Sequence, residues 1–247
     1  MRYLILSDIH ANLEALHAVL ADTPAASVDR VLVLGDLVGY GPDPNDVTEC
    51  IRGLPGAAVI RGNHDKVAAG IEAAERFNQI ARQAMEWTTR VLTPENYDYL
   101  RSLTRGPLVI DDDLEICHGT PFDEDVYIFD ELDVRRAARS ARRHLCLFGH
   151  THMTAAFHIS GDTLTQVWPR RSSPGDIPFN AEGRWLMNCG AVGQPRDGDW
   201  RAAYGIVDTA TQTMTMRRAE YDVVATQAKI LKAGLPDALA RRLEGGR

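Results

Sequence analysis

The chain has 247 residues, of which 27 are Lys or Arg and 34 are Asp or Glu, so its formal net charge is −7. This length suits one large domain with a sizeable core, and the negative charge disfavours binding to extended DNA or RNA. Its four cysteines form no C-x-x-C pair and its first apolar run is too short for a secretory signal or a membrane span, so we expect a cytoplasmic protein that does not act at membranes.

The first part of the chain alternates two kinds of pattern. Apolar runs at residues 3–7, 31–34 and 57–60 predict buried strands. Helical spacing predicts a helix at 11–21 after the first strand and another at 45–52 after the second. This strand-helix-strand rhythm predicts a largely parallel sheet that is flanked by helices.

Residues 66–104 carry fewer turn signals and predict two helices, at 74–91 and 94–103. We expect this segment to be either a small helical cap beside the site or ordinary packing helices, and both readings stay open. The apolar stripe of the first helix consists of Phe77, Ile80, Ala81, Ala84, Trp87 and Val91.

The second half of the chain is rich in predicted strands. Helices are predicted near 134–142 and 221–233, and a mobile surface loop at 169–183. The strands are predicted at 107–111, 114–117, 145–148, 154–159, 163–168, 184–188, 203–208 and 212–218. So many strands exceed what one open sheet usually holds. We therefore predict two sheets packed face to face, in a single domain over 1–247 that ends in helices at 221–247.

Metal-binding residue types follow five of the predicted strands. Strands of one sheet that stop at the same edge would bring these groups together. The segments are Asp8-x-His10, Gly35-Asp36, Gly62-Asn63-His64-Asp65, His118-Gly119 and Gly149-His150-Thr151-His152. The mixture of oxygen and imidazole ligands suits two divalent cations, with Mn favoured and Fe, Zn, Co or Ni left open. Two adjacent ions are the recurring device for attack on a phosphoryl centre.

The order of these segments, from Asp8 to His152, resembles the calcineurin-like metallophosphoesterase superfamily. A later stretch, 188–197, resembles a segment of its small bacterial and archaeal phosphodiesterases, although Cys189 stands where relatives often carry proline and Ala191 where they often carry serine. The resemblance implies an α/β fold, a four-layer α-β-β-α sandwich of two mixed sheets with a small helical cap. It also implies a metal-dependent phosphoric ester hydrolase.

The resemblance further implies a role for each site residue. A metal-bridged hydroxide would attack phosphorus, and His64 would protonate the leaving alkoxide. Asp65 would either orient His64 or cap the following helix. The first ion would be held by Asp8, His10, Asp36 and His152, and the second by Asp36, Asn63, His118 and His150, so that Asp36 bridges them.

We expect a hydrolase of small phosphodiesters or nucleotides. Loop 37–41 lacks the Asp-Arg-Gly ending typical of Ser/Thr protein phosphatases and symmetrical diadenosine tetraphosphatases. Phosphomonoesterase, protein phosphatase and dinucleoside polyphosphate hydrolase activities therefore rank behind a phosphodiesterase. A non-catalytic binding scaffold is less favoured, because every ligand and His64 are retained. A homodimer is left open.

A nuclease acting on short single strands is a further alternative. Such an enzyme would need a basic groove lined with aromatic side chains. The candidates for that groove are Trp168, Arg170, Arg171, Arg196 and Trp200.

Overall fold

The computed structural model describes residues 1–23, 27–167 and 175–247, which contain twelve β-strands and eight α-helices. The strands are β1 (Arg2–Leu6), β2 (Arg30–Val33), β3 (Ala58–Val59), β4 (Leu108–Val109), β5 (Leu114–Ile116), β6 (Leu145–Leu147), β7 (Thr154–Ser160), β8 (Thr163–Val167), β9 (Gly175–Pro178), β10 (Arg184–Cys189), β11 (Ala202–Asp208) and β12 (Thr213–Ala219). The helices are α1 (Leu13–Asp22), α2 (Pro44–Arg52), α3 (Asn63–Ala68), α4 (Gln79–Val91), α5 (Pro94–Ser102), α6 (Glu131–Ser140), α7 (Val223–Lys232) and α8 (Asp237–Gly245). None of the helices in these ranges is long and apolar enough to cross a bilayer.

The strands form two mixed sheets of six. The first has the order β3-β2-β1-β11-β12-β9 and the second β4-β5-β6-β10-β7-β8. Strands β1, β2 and β3 are parallel to one another, whereas β11 runs antiparallel to β1. In the second sheet, β5, β6 and β10 are parallel. The predicted sandwich of two mixed sheets with flanking helices is confirmed.

Apolar layers join the sheets to each other and to the helices. In β1, Tyr3 and Ile5 belong to the layer between the sheets, while Leu4 and Leu6 pack under helices α1 and α2. A strand that is buried on both faces needs apolar residues at consecutive positions, as β1 has. Helix α6 covers the outer face of the second sheet through residues such as Val134.

Helix α4 begins later than the predicted range 74–91. Asn78 caps the helix by accepting a hydrogen bond from the backbone of its third residue, at 3.0 Å, and Ala74–Arg76 form a separate 3-10 turn. Ile80, expected on the buried stripe, is 38% exposed, and Met85 is buried instead. The predicted stripe was therefore wrong at this position, because the buried face is formed by Ala81, Ala84, Met85 and Thr88, at i, i+3, i+4 and i+7, and Ile80 lies to one side of it.

The predicted loop at 169–183 contains an unexpected strand. Residues Gly175–Pro178 form β9, which pairs with β12 at the edge of the first sheet. An edge strand tolerates proline at its end because no further strand needs its missing donor. Residues 168–174, with the candidate groove residues Trp168, Arg170 and Arg171, lie outside the described residues.

Both sheets present the carboxyl ends of their parallel strands at one edge. Asp8 and Asp36 follow β1 and β2 of the first sheet, whereas His118 and His150 follow β5 and β6 of the second. The expectation that one sheet supplies all these groups was wrong. The site instead lies where the edges of the two packed sheets meet.

Candidate metal centre

Seven polar side chains converge at this edge. Aspartate and histidine atoms form two groups, and within each group the candidate ligand atoms lie within 4.8 Å of one another. The first group is Asp8, His10, Asp36 and His152, and the second is Asp36, His118 and His150. The Oδ1 atom of Asn63 lies 3.1 Å from His118 Nε2 and so borders the second group. Asp36 belongs to both.

Five of these residues have left-handed backbone conformations. Their φ angles lie between 49° and 66°, for Asp8, His10, Asp36, His150 and His152. L-residues with side chains rarely adopt this conformation, which costs on the order of 1–3 kcal/mol each and concentrates at functional sites. The sharp turns aim these side chains at one point just beyond the strand ends.

Backbone carbonyl oxygens fix the four ligand imidazoles. One nitrogen of each ring lies at hydrogen-bonding distance from a carbonyl, which selects the protonated nitrogen. The pairs are His10 Nδ1 with Val38 O (3.1 Å), His118 Nδ1 with Leu34 O (2.7 Å), His152 Nδ1 with Gln194 O (2.7 Å) and His150 Nε2 with Asp125 O (3.2 Å). Three rings therefore keep Nε2 free, and His150 keeps Nδ1 free.

Two of the free nitrogens face each other rather than a donor. His10 Nε2 and His152 Nε2 lie 3.1 Å apart, although both rings carry their proton on Nδ1. Asp8 Oδ1 lies 3.3 Å from His152 Nε2, and Asp36 Oδ2 lies 3.5 Å from His10 Nε2. Lone pairs gathered in this way repel one another unless a cation lies between them. The donor set therefore fits a divalent transition metal, which accepts imidazole and carboxylate together.

The charges of the site point the same way. Burial opposes ionisation of Asp36, but His118 and His64 beside it outweigh burial and hold the pKa of Asp36 well below its usual range. Burial lowers the pKa of His118, yet the Asp36 charge and hydrogen bond raise it to about 10. Burial also raises the pKa of Asp8, to about 6. Without an ion, a proton on His118 is what balances these buried carboxylates.

His64 lies beside the two groups without belonging to either. Its ring packs between Tyr40 and Phe77, with centroid distances of 4.4 and 4.6 Å, and its Nδ1 lies 3.2 Å from Met85 Sδ. Burial lowers its pKa to about 4. The backbone N–H of His64 donates to Asp36 Oδ1 at 2.9 Å, which ties its position to the shared carboxylate.

Asp65 does not bond to the His64 ring. Its Oδ1 accepts the backbone N–H groups of Leu37 (2.8 Å) and Val38 (3.2 Å), and its Oδ2 accepts that of Gly62 (3.0 Å). Of the two alternatives, capping of α3 is the one that these hydrogen bonds show. In this geometry Asp65 holds the loop after β2 against the start of α3.

Two glycines allow this close approach. A Cβ at Gly62 would overlap the Asp36 carboxylate, and a Cβ at Gly39 would overlap His64 Nδ1. Gly39 also has a φ of 87°, which a residue with a side chain would adopt only with strain. The loops that carry Asp36 and His64 could not pack this tightly with larger residues.

Arg196 also lies beside the site, although it is not one of the proposed ligands. Arg196 Nη2 donates to Gln194 Oε1 at 3.1 Å, while its buried Nε has no hydrogen-bond partner among the described residues. Its guanidinium lies 5.8 Å from the centre of the Tyr40 ring, and its charge adds to burial in lowering the pKa of His152. The sequence places Arg196 in the family-like stretch 188–197 and in the candidate nuclease groove, but it gives this residue no role at the metal centre. Its companion in that proposal, Trp200, packs against Tyr221 instead.

A cavity of about 200 Å³ opens next to Asn63, His64 and His150. Lys66 and Tyr127 line its wall. Neither residue stands in one of the five segments that follow strands, so no motif in the sequence points to them. The only available signal was the position of Lys66 two residues after His64.

The stretch 188–197 supports the loop that carries the last two histidines. Asn188 Nδ2 donates to Gly149 O and Thr151 Oγ1, both at 2.9 Å. The two departures from the family pattern, Cys189 and Ala191, are both buried. Cys189 lies in the layer between the sheets, where its thiol lies 3.8 Å from the backbone oxygens of Ile5 and Gly190.

Comparison with known proteins identifies relatives along the whole chain. The family model for the calcineurin-like phosphoesterase superfamily domain matches residues 1–212. An uncharacterized protein of Methanocaldococcus jannaschii is 35% identical over 98% of this chain and 97% of its own. The crystal structure of a metallophosphoesterase from Sphaerobacter thermophilus is 39% identical, with a TM-score of 0.86, over 100% of this chain and 99% of that one. A symmetrical bis(5′-nucleosyl)-tetraphosphatase of Pectobacterium carotovorum is 30% identical over 45% of this chain and 40% of its own.

Removal of divalent cations should destabilise the protein. A ligand that binds only the folded state at 100 times its Kd adds about 2.7 kcal/mol, which for a chain of this size raises Tm by roughly 5–10 °C. Thermal unfolding of chelator-treated protein, with and without added Mn²⁺, measures the difference. An equal Tm in both conditions would contradict a cation site at this edge.

Replacement of Asp36 by Asn should weaken cation binding at both groups of ligands. Asp36 Oδ2 lies 3.5 Å from His10 Nε2 and 3.4 Å from His118 Nε2, so the loss of its charge affects both sets of ligands. The affinity for divalent cations should fall by more than ~100-fold, because even the loss of a residue that only hydrogen-bonds to a metal ligand lowers metal affinity by ~10–100-fold. Metal analysis of the purified variant measures this, with the exposed Asp98→Asn as the control. Retention of the wild-type metal content by Asp36→Asn would refute the shared-ligand arrangement.

Proposed function

This chain belongs to the calcineurin-like phosphoesterase superfamily, and from that premise we propose that it is a dinuclear metal-dependent phosphodiesterase acting on small phosphodiesters or nucleotides. The observation that carries the proposal is the pair of ligand groups that share Asp36, with His64 beside them and free of both. Asp8, His10, Asp36 and His152 would hold one ion, and Asp36, Asn63, His118 and His150 the other. Mn²⁺ is the favoured occupant, and Fe, Zn, Co and Ni suit the same ligands.

Each part of the site has a separate task in hydrolysis. When bound, such ions supply a water of lowered pKa as nucleophile and positive charge against the phosphoryl oxygens. Asn63 would donate its amide N–H to a phosphoryl oxygen. His64 would hold a proton for the leaving oxygen, and an anionic ester next to its ring would favour that protonated form against the effect of burial.

The cationic side chains favour a diester over a monoester. Arg61 precedes the Gly62-Asn63-His64 segment, but its guanidinium is held by both carboxylate oxygens of Glu124, at 2.9 and 3.1 Å. Arg196 is thus the guanidinium near the site that keeps an unpartnered N–H among the described residues. One guanidinium that has no carboxylate partner suits the single negative charge of a phosphodiester better than the charge of nearly −2 on a monoester.

The alternatives differ in what they would need from the site. A phosphomonoesterase, a protein phosphatase or a dinucleoside polyphosphate hydrolase would each have to bind more negative charge. The similarity to the symmetrical tetraphosphatase covers less than half of either chain. A binding scaffold would not need His64. Extended nucleic acid fits the net charge of −7 poorly.

A panel of esters tests this proposal. Protein loaded with Mn²⁺ should hydrolyse bis(4-nitrophenyl) phosphate with a higher kcat/KM than 4-nitrophenyl phosphate, because the diester needs less positive charge. Cyclic nucleotides, dinucleoside polyphosphates and oligonucleotides complete the panel. Preference for the monoester or a polyphosphate would select that alternative, and no hydrolysis of any ester would favour a scaffold.

Replacement of His64 by Gln tests the assignment of the proton donor. Turnover should fall by roughly 100- to 10,000-fold for alkyl leaving groups, which need a proton, and much less for 4-nitrophenol. The metal content should not change, because His64 belongs to neither ligand group. The exposed His17→Gln variant is the control. An equal loss for alkyl and aryl esters would reject His64 as the acid.

A further inference from the structure

We propose that the cavity beside His64 is the site of the leaving group, and that it takes a neutral alcohol that carries a ring, of the size of a nucleoside. This inference rests on the proposed function. It adds the chemical class of the alcohol that is released, which the ligand groups themselves do not specify.

The position of the cavity carries the first step. Asn63, His64 and His150 form its inner wall, so it opens directly from the proposed metal centre. The leaving oxygen must lie within hydrogen-bonding reach of His64 to receive its proton. The rest of the leaving group then extends from that oxygen into the adjoining space. Its volume of about 200 Å³ compares with about 30 Å³ for one water, so a methyl group would leave most of it unfilled.

The walls of the cavity carry the second step. Apolar and aromatic surface comes from Val67, Ala73, Phe77 and Tyr127. The Tyr127 ring is stacked on His150 at 3.8 Å and on Phe129 at 4.9 Å, which holds it in place. Tyr127 therefore forms a fixed aromatic part of the cavity wall. Burial of a ring against such surface is favourable, whereas a small alkyl group gains little from it.

The charges of the cavity carry the third step. Lys66 Nζ lies 2.6 and 2.8 Å from the Asp125 carboxylate oxygens and 2.6 Å from Glu72 Oε2. Although burial lowers the pKa of Lys66, these carboxylates raise it above its usual value. Arg76, which is 78% exposed, lies 3.9 Å from Asp125. The buried cation of the cavity, Lys66, is already paired with acids, so an anionic leaving group such as a polyphosphate chain would have to break these pairs to reach it. Neutral hydroxyl groups could donate to the same carboxylates without breaking them.

An unsymmetrical diester tests the inference within a single reaction. The methyl ester of adenosine 5′-phosphate yields either adenosine and methyl phosphate or AMP and methanol, depending on which alcohol leaves. The wild-type protein should release mainly adenosine. Ala73→Trp should fill the cavity and lower the ratio of adenosine to AMP by roughly tenfold or more, the discrimination typical of a pocket that changes by a small group.

The matched control is Glu75→Trp, in the 3-10 turn that Ala73 precedes but outside the cavity lining. Positions 73 and 75 are both exposed, so both variants should keep the Tm of the wild type, and Glu75→Trp should keep its product ratio. An unchanged ratio in Ala73→Trp, with hydrolysis intact, would overturn the cavity assignment and leave the proposed function standing. Absence of both products in the wild type would instead count against the proposed function.

A charged leaving group tests the third step separately. Methyl 4-nitrophenyl phosphate should have a higher kcat/KM than the same diester with a sulfonate on the nitrophenyl ring. Asp125→Asn removes one acid from Lys66 and should narrow that difference. If the sulfonated ester is preferred by the wild type, the neutral-alcohol assignment is wrong.

Discussion

The whole site depends on the forced proximity of buried acceptor atoms, which are imidazole nitrogens and carboxylate oxygens. Two imidazole nitrogens face each other at 3.1 Å, and carboxylate oxygens lie within 3.5 Å of them. Such an arrangement is costly in an apolar surrounding unless positive charge enters it. The folded chain holds the groups together before any cation binds, because the strands end at the same edge and left-handed residues turn the side chains inward. Affinity for a cation then follows from the release of that repulsion.

The two-sheet architecture explains why the groups can be held so firmly. One sheet carries the carboxylates of Asp8 and Asp36, and the other carries His118 and His150. The layer of apolar side chains between the sheets fixes the distance between these two sets. Carbonyl oxygens, rather than other side chains, orient the imidazoles, so the orientation is set by the main chain. In these four contacts the orientation of the rings does not depend on a second polar side chain.

Most of the fold could be predicted from the sequence, because buried strands such as β1 and β2 are continuous apolar runs. The ligand residues could be named for a similar reason, since each follows one of those runs. The start of α4 was missed because its capping residue, Asn78, lies inside a longer helical pattern. Strand β9 was missed because its residues resemble a loop and pair only at a sheet edge. The supply of candidate ligands by both sheets was missed because it depends on packing, which local patterns do not report.

The residues proposed to contact the substrate were the least predictable. Lys66 and Tyr127 come from α3 and from the loop before α6, and only the tertiary structure brings them together at the cavity. Arg196 stood in a noted segment, but its missing partner could be seen only from its surroundings. A metal centre needs particular residue types and can therefore be predicted from this sequence. The choice of substrate depends on the shape of the cavity and on its charge pairing, which the sequence alone does not show.

Asp125 serves both halves of the site at once. Its backbone oxygen lies 3.2 Å from His150 Nε2, while its carboxylate holds Lys66 across the cavity. A lineage that altered this carboxylate to admit a different alcohol would also loosen the loop that aims a metal-binding ring. Divergence of specificity among descendants of this protein should therefore proceed through other residues that line the cavity. Asp125 should be retained, because it contacts both His150 and Lys66.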